Sequence, residues 1–574
     1  MAELWLTNPL EDIFRTTKHE NPGYLSRLKN PEICMARNAR ESIQLAVYAG
    51  ESKIIDATVS VVLKSGSAEN EITFDCGGVR LIPASGNSIN IGTRVKRASL
   101  PGELPEAIDP SPMEIFYRQT GSFFITANTS RNTPPGVYEY KIILNCRDGY
   151  SFEPLTFEHL LTVRVFSATL PDPGKSSYSY ENWFNCCGYS PEADNRRMVE
   201  CNEIIYGIKN YSDEWFTLIK NYALQMKKER INVITVPIYS LLYGHVRTDE
   251  NGQYIFDFSL FDKFLDTFLK YCDVKYFCGF HLIIRSTKVP EMETKAWDAE
   301  SVLVAWLFDE KKDFSNFAWA YMTDERAWKH LEMLVKALRK HLIEKGIADM
   351  WIQHISDEVT TDEQLAIVKR AYQKMHEWAP EFKCVDATLQ DSLEKYGKDL
   401  DIHVPQIDVH NLYEEAYTQK LKKGEFEIWS YTSLKPQFNY LSRLDDFKLI
   451  ATRLIHWYNF KYGITGYLHW SWNLWFYGNC PNEPYRDCCC DGWPLDGWVV
   501  LPDKENLSVF ETIRQRENSS GIEDYEILRL ASKRNPERTR LLTDILIDRA
   551  NDFTLDTNLF FRVRNQLLLI ASDE

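Results

Sequence analysis

From Ser177 to Ser471 the chain repeats one grammar: a short strand-like run, then a segment long enough to return as a crossover helix. The strand-like runs are Ser177–Phe184, Ile231–Pro237, Lys275–Leu282, Met350–Ser356, Phe382–Thr388, Ile402–Ile407, Phe426–Tyr431 and Ile464–Ser471. Amphipathic stretches lie between them at Glu214–Lys228, Leu260–Tyr271, Asp324–Lys345, Asp362–Trp378 and Asp445–Tyr462. A strand followed by a crossover re-enters the sheet parallel to its predecessor, and eight such units predict a closed (β/α)8, TIM-like barrel.

The flanks follow other rules. Residues 1–168 carry short alternating runs (Ser42–Tyr48, Ala57–Lys64, Glu71–Phe74, Ser122–Thr126, Val137–Asn145, Leu160–Phe166) separated by Gly, Pro, Asn and Asp. That pattern predicts an N-terminal β-sandwich. Two prolines and a glycine in Thr169-Leu-Pro-Asp-Pro-Gly-Lys175 read as a linker. The barrel is expected over 176–504. A C-terminal helical segment over 505–574, with helices at Leu507–Glu517, Ile522–Ser532, Glu537–Ala550 and Phe560–Ser572, is expected to pack on it.

Charge narrows the partners. The formal net charge of −16 on 574 residues repels phosphate backbones and anionic lipid, so neither nucleic acid nor membrane is an expected partner. No run approaches ~18 apolar residues, and Met1–Arg15 lacks a basic stretch followed by an apolar one. A cytoplasmic location is the expectation, with a secreted form that has lost its leader as the alternative. The 13 cysteines include the adjacent sets Cys186-Cys187 and Cys488-Cys489-Cys490, which do not make a disulfide ladder and point to reduced thiols. The Cys480–Cys490 cluster has no nearby His, the other His and Cys residues show no ligand spacing, and no Gly-rich phosphate loop follows a strand. No metal or cofactor is therefore expected.

In a barrel of this kind the reacting groups sit where strands end and loops begin. The fourth run, Trp351-Ile-Gln-His-Ile-Ser356, leads straight into Asp357-Glu358. Most other Asp-Glu dipeptides have a local explanation: Ser212-Asp-Glu and Thr323-Asp-Glu open helices, and Thr361-Asp-Glu-Gln364 is a capping box. Asp357-Glu358 lies before that cap, at the barrel lip. Asp357 and Glu358 are thus the candidate catalytic pair.

The run Ile355-Ser-Asp-Glu-Val359 resembles the strand-four motif of glycoside hydrolase family 123, whose relatives include the domain-of-unknown-function family 4091. Gly466-Tyr-Leu-His-Trp-Ser-Trp-Asn-Leu-Trp475 is similar to that group's last barrel strand and loop. So are Pro484-Tyr-Arg-Asp487, Asp491-Gly492, Leu501-Pro502 and Gly521-Ile-Glu-Asp-Tyr-Glu526, while Pro134-Pro-Gly-Val-Tyr138 is similar to its sandwich. The resemblance implies an exo-acting, retaining β-N-acetylgalactosaminidase working by substrate assistance on a carbohydrate with a terminal N-acetylated amino sugar. Glu358 would be general acid and then base. Asp357 would hold the acetamido N–H while the substrate's carbonyl oxygen attacks the anomeric carbon.

Residue chemistry agrees with that scheme. A two-carboxylate retaining pair must flank the scissile bond, roughly 5 Å apart. Consecutive residues serve one side of the sugar instead. The end of strand seven, where the usual nucleophile sits, reads Trp429-Ser-Tyr-Thr432, and Glu425 and Glu427 lie at the opening of that strand. An ionised Asp357 also disfavours a second negative charge beside it, which suits Glu358 to a general acid's part.

Other strand ends offer groups that grip a sugar: Trp183 with Asn182 and Asn185, His281, Asp386 with Thr388, Asp408 with His410, Tyr431, and His469, Trp470, Trp472 and Asn473. Aromatic faces stack on a pyranose while carboxylates and amides pair its hydroxyls. Trp472 and Tyr431 are the expected walls. Asp408 or Asp386 could instead activate water in an inverting scheme. A hydrolase of another glycan, or a non-catalytic carbohydrate-binding barrel, remains as an alternative.

Overall fold

The computed structural model describes the chain apart from residues 1, 19–30, 66–70, 85, 89–90, 99, 187–200, 243, 287–301, 309–317, 390, 425, 476–488, 491–492, 495–496 and 573–574. Its N-terminal part is a sandwich of two five-stranded sheets. One sheet runs, in spatial order, Glu3–Thr7, Arg40–Tyr48, Thr120–Asn128, Thr73–Ala84 and Gly102–Asp109. The other runs Glu32–Arg37, Pro154–Thr169, Gly136–Asp148, Ile54–Leu63 and Met113–Ile115. Along Gly136–Asp148 the buried residues are Tyr138, Tyr140, Ile142, Leu144 and Cys146, the period of two that a half-buried strand requires. Glu3–Thr7, Glu32–Arg37, Gly102–Asp109 and Met113–Ile115 were not expected from the sequence. All four are edge strands, whose pairing is set by a distant partner rather than by local alternation.

Eight parallel strands then close a barrel. In order they are Ser179–Asn182, Val233–Val236, Tyr276–Gly279, Trp351–His354, Lys383–Thr388, Ile402–Pro405, Glu427–Thr432 and Gly466–His469. The first pairs with both the second and the eighth, so no barrel edge is left open. Each overlaps the run expected for it. Capping residues set the ends of several surrounding helices. Ser212 accepts from Trp215 N at the head of Asp213–Lys228, whose Trp215, Leu218, Ile219, Tyr222, Ala223 and Met226 form the buried stripe. Thr361 and Gln364 close a capping box on Asp362–Trp378, and Gly346 (φ 77°) ends Glu325–Lys345 in the left-handed conformation.

The C-terminal segment departs from expectation in two respects: the helix expected at Glu537–Ala550 ends at Leu546, where a strand Ile547–Arg549 pairs with Asp552–Phe553, and its first half is differently built. The two helices expected at Leu507–Glu517 and Ile522–Ser532 are a single helix, Ile513–Arg534, preceded by a strand Ser508–Glu511. Asn518-Ser-Ser-Gly521 looks like a break because it is polar and ends in glycine. Every residue from Ile513 to Leu528 is nevertheless buried. Gly521 is required by a close helix crossing: a Cβ there would stand 2.5 Å from His456 Cδ2 and 2.7 Å from the carbonyl oxygen of Arg453.

The charged residues of this helix pair across domains. Arg453, on the last barrel helix (Leu449–Lys461), donates to Asp524 and Glu517 of the C-terminal helix and to Glu41 of the sandwich, each at 2.8 Å. Arg564 adds bonds to Glu41 at 2.9 Å and Asp524 at 2.6 Å. Glu523 accepts from the backbone N–H of Arg40 at 3.0 Å. Gly521-Ile-Glu-Asp-Tyr-Glu526 is thus the point where sandwich, barrel and tail meet.

Candidate active site

Asp357 and Glu358 stand on the loop after the fourth barrel strand, both half-buried. Glu358 has φ 43°, a left-handed conformation that an L-residue keeps only when its surroundings hold it. Three contacts do so on the backbone side. Ile283 N–H donates to the Ile355 carbonyl at 2.8 Å, Arg285 Nη1 donates to the Glu358 carbonyl at 2.9 Å, and Asp386 Oδ1 accepts from Ile355 N at 3.1 Å. On the side-chain side, the Tyr431 hydroxyl donates to Glu358 Oε1 at 2.6 Å. Tyr431 is buried, and its hydroxyl is held well above the usual phenol range, first by burial and then by the charge of Glu358. It therefore stays a neutral donor.

Trp183, half-buried after the first strand, stands edge-on to His281 at 4.9 Å and to His354 at 5.3 Å. Its Nε1 and the Nε2 of His281 are buried with no hydrogen-bond partner among the described residues. Burial, then His354 and Arg285, press His281 well below its ordinary pKa, so it is a neutral ring. Two unsatisfied ring nitrogens at a barrel mouth are unfavourable unless a ligand or water meets them. Trp470 is half-buried at the end of the eighth strand, its ring edge resting on Gly497, where a Cβ would come within 3.2 Å of Cη2. Asp408 is half-buried in the first turn of the short helix Ile407–Leu412, accepts from Val409 N at 2.9 Å, and is raised in pKa chiefly by burial. Its charge reaches Tyr431.

Other residues read from the sequence as sugar contacts have different positions. Trp472, expected as a pocket wall, is instead a core residue, fully buried beside Tyr222 with its Nε1 donating to Glu229 Oε2 at 2.7 Å. Asn473, expected to bind substrate, holds the backbone of Asn185 through both amide atoms, at 2.7 and 2.8 Å. Alternation could not tell core from cavity here, because the eighth strand ends at His469, before these residues. Asn182 and His410 are buried in the protein, bonded to Tyr180 and Tyr458. His469 is buried, its Nδ1 at 3.2 Å from the Ser471 carbonyl. Asp386 is 3% exposed and lies under the loop rather than at its surface. Glu427 is at the far end of its strand, accepting from Trp429 Nε1 at 2.9 Å, and Glu425 lies outside the described residues.

Glu229 itself is a finding the sequence did not announce. Fully buried, it accepts from Trp472 Nε1, from Gln515 Nε2 at 2.8 Å and from Gln225 Nε2 at 2.7 Å, with no ion pair to it among the described residues. Burial, with Glu511 next, pushes it up to about 8 from 4.5. The folded state then binds a proton that the unfolded state has released between those two values, so stability falls as pH rises through that window. Glu229→Gln should remove that slope and raise the unfolding temperature at pH 8 relative to the parent protein. Thermal melts at pH 5 and pH 8 check this, and a variant less stable at both would contradict it.

Residues the sequence reading passed over form the floor of the site. Glu181, Cys278 and His354, from strands one, three and four, put one ligand atom each within 4.8 Å of the others. His376, Cys384 and Asp401 do likewise at the other end of the barrel. Sequence spacing could not show either group, since barrel closure brings them together. The first set is accounted for by pairing: His354 Nε2 is 3.2 Å from Glu181 Oε2 and its Nδ1 is 3.5 Å from Asp386 Oδ1. Burial opposes charge on His354, but Cys278, Glu181 and Asp386 raise it well above the usual range. Burial pushes the Cys278 thiol itself up to about 12. In the second set Asp401 accepts from His376 Nε2 at 2.9 Å and Cys384 N at 2.8 Å. The Cys480–Cys490 cluster, Pro484–Asp487 and Asp491-Gly492 fall on segments outside the described residues or with side chains that are not described. No helix among the described residues is long and apolar enough to cross a membrane.

No curated protein matches the chain. A family 123 glycoside hydrolase from Clostridium perfringens, solved for the details of glycolipid glycan hydrolysis, superposes with a TM-score of 0.73 at 14% identity, covering 100% of this chain and 98% of its own. A Parabacteroides merdae β-glucuronidase (TM-score 0.26, 12% identity, 75% of this chain and 45% of its own) is far more distant. So is a termite-gut xylanase with a bacterial Ig-like domain (TM-score 0.31, 9% identity, 87% and 100%). The family model for the glycoside hydrolase 123 catalytic domain matches residues 198–531, more than half of the chain. The chain is a member of glycoside hydrolase family 123.

Proposed function

We propose that this glycoside hydrolase is an exo-acting, retaining β-N-acetylgalactosaminidase that uses its substrate's 2-acetamido group as nucleophile. One observation carries the reading: Tyr431 occupies the end of strand seven, across from the acids, and its hydroxyl is bonded to Glu358 at 2.6 Å. A two-carboxylate retaining mechanism needs a second acid there, roughly 5 Å away on the opposite side of the sugar. With a phenol in that place, both acids work from one side. Tyr431 holds Glu358 Oε1, leaving the other oxygen to give its proton to the leaving group and later to take one from water. Asp357 orients and polarises the acetamido N–H as the amide oxygen closes on the anomeric carbon. Trp183, His281 and Trp470 are the proposed sugar contacts, on account of their position at the rim and the two unpaired ring nitrogens.

The finer assignment predicts a substrate pair. A chromogenic N-acetyl-β-galactosaminide should be cleaved at least roughly 100-fold faster than its 2-hydroxy counterpart, because the second has no internal nucleophile. Asp357→Asn should lower kcat on the first by roughly 10²–10³-fold, the worth of one preorganised electrostatic contact. Equal rates on both sugars would defeat substrate assistance. They would favour a second reading, in which half-buried Asp408 near Tyr431 serves as a base for water.

A further inference from the structure

We propose that Asp386 is a positioning residue for the Asp357–Glu358 pair: a strand-borne carboxylate that grips the backbone N–H groups of Ile355 and Ser356 and so sets the direction in which the pair leaves the barrel. The inference deepens the functional reading above, on which its kinetic arm rests. Asp386 Oδ1 accepts from Ile355 N at 3.1 Å and from Ser356 N at 3.2 Å, and Oδ2 lies 3.3 Å from Ser356 N. The Tyr372 hydroxyl, on the helix that follows the pair, donates to Oδ2. His354 Nδ1 approaches from the fourth strand, and His354 is held in turn by Glu181 of the first. A carboxylate accepts from several donors at once without presenting one of its own, which fits this crowd of N–H and O–H groups.

The location gives the grip its consequence. Ile355 and Ser356 are the last residues before the pair, and Glu358 stands two residues on in a left-handed conformation. The clamp fixes the near end of this strained turn, while Arg285 fixes the far end through the Glu358 carbonyl. Asp386 belongs to a barrel strand buried on both faces, so the clamp is rigid. Misplacing a reacting group by about 1 Å costs on the order of 10²-fold in rate, which is the scale at stake here.

Asp386→Ala and Asp386→Asn in the full chain test the proposal. The alanine variant should lose roughly 30–100-fold in kcat with KM within about threefold of the parent. The asparagine variant should recover to within about fivefold of the parent, since its amide oxygen still accepts the two N–H groups and its NH2 can face the Tyr372 oxygen. Asparagine as poor as alanine, or alanine within about threefold of the parent, would overturn it. A crystal structure of Asp386→Ala supplies an arm that needs no substrate: Ile355–Glu358 should shift and Glu358 should lose Tyr431, and an unmoved segment refutes the clamp. If the parent cleaves no N-acetylhexosaminide, the functional reading fails while this arm still decides the inference. Should Asp386→Ala not fold, Tyr372→Phe is the gentler probe. It removes the hydroxyl donor to Asp386 Oδ2 without opening a cavity, and an unchanged kcat would count against the proposal.

Discussion

Glu358→Gln should lower kcat on an N-acetylgalactosaminide with a poor leaving group by roughly 10³–10⁴-fold, toward the upper end of what a positioned acid–base supplies. The amide is nearly isosteric and its oxygen can still accept from Tyr431, so the left-handed turn and the sugar contacts should persist. KM should then stay within a few-fold of the parent, because what is removed is a proton needed only as the glycosidic bond breaks. A substrate whose leaving group departs without protonation should suffer far less. Steady-state kinetics on two aglycones of widely different acidity make the comparison. A loss equal on both aglycones, or under tenfold on the poor one, would take Glu358 out of the acid's role.

The largest effect on stability should come from Arg453. Its guanidinium is wholly buried and donates to Glu41, Glu517 and Asp524, acids from the sandwich and the C-terminal helix. Arg453→Met keeps the volume, leaves Glu41 and Asp524 to Arg564 alone, and strips Glu517 of the guanidinium bonded to it. Breaking a single buried pair costs about 3–5 kcal/mol, so the loss here should reach at least about 5 kcal/mol. That is a large part of the roughly 5–15 kcal/mol that holds a domain together. Glu517 is already pushed up to about 7 by burial, Arg453 being the main influence lowering it. Without Arg453 it should rise further, and the variant should recover part of its stability in mild acid. Thermal unfolding of the full chain near pH 8 and near pH 5.5 measures both effects. A midpoint unchanged by the substitution would mean that the buried ionic cluster does not weld the three parts.

Strand count, helix caps and the Asp357-Glu358 dipeptide were legible in the residues because each is a local signal. A run of β-branched and aromatic residues, a Thr-x-x-Gln box or two acids after a strand can be read within a few positions. The sequence by itself therefore determined the barrel, the sandwich core and the loop that carries the pair. Edge strands were missed because their partners are remote, and the polar break in Ile513–Arg534 misled because a helix buried among other charged elements shows no apolar stripe. Only the tertiary structure decided which of these residues stand at the barrel mouth and which are spent on the protein's own packing. Trp472 and Asn473 lie within a few residues of Trp470, yet the first meets Glu229 and the second Asn185. His354, Asp386 and Tyr431 meet around the acids because closing eight strands into a ring brings positions from 354 to 431 within hydrogen-bonding distance, a juxtaposition that no linear spacing encodes.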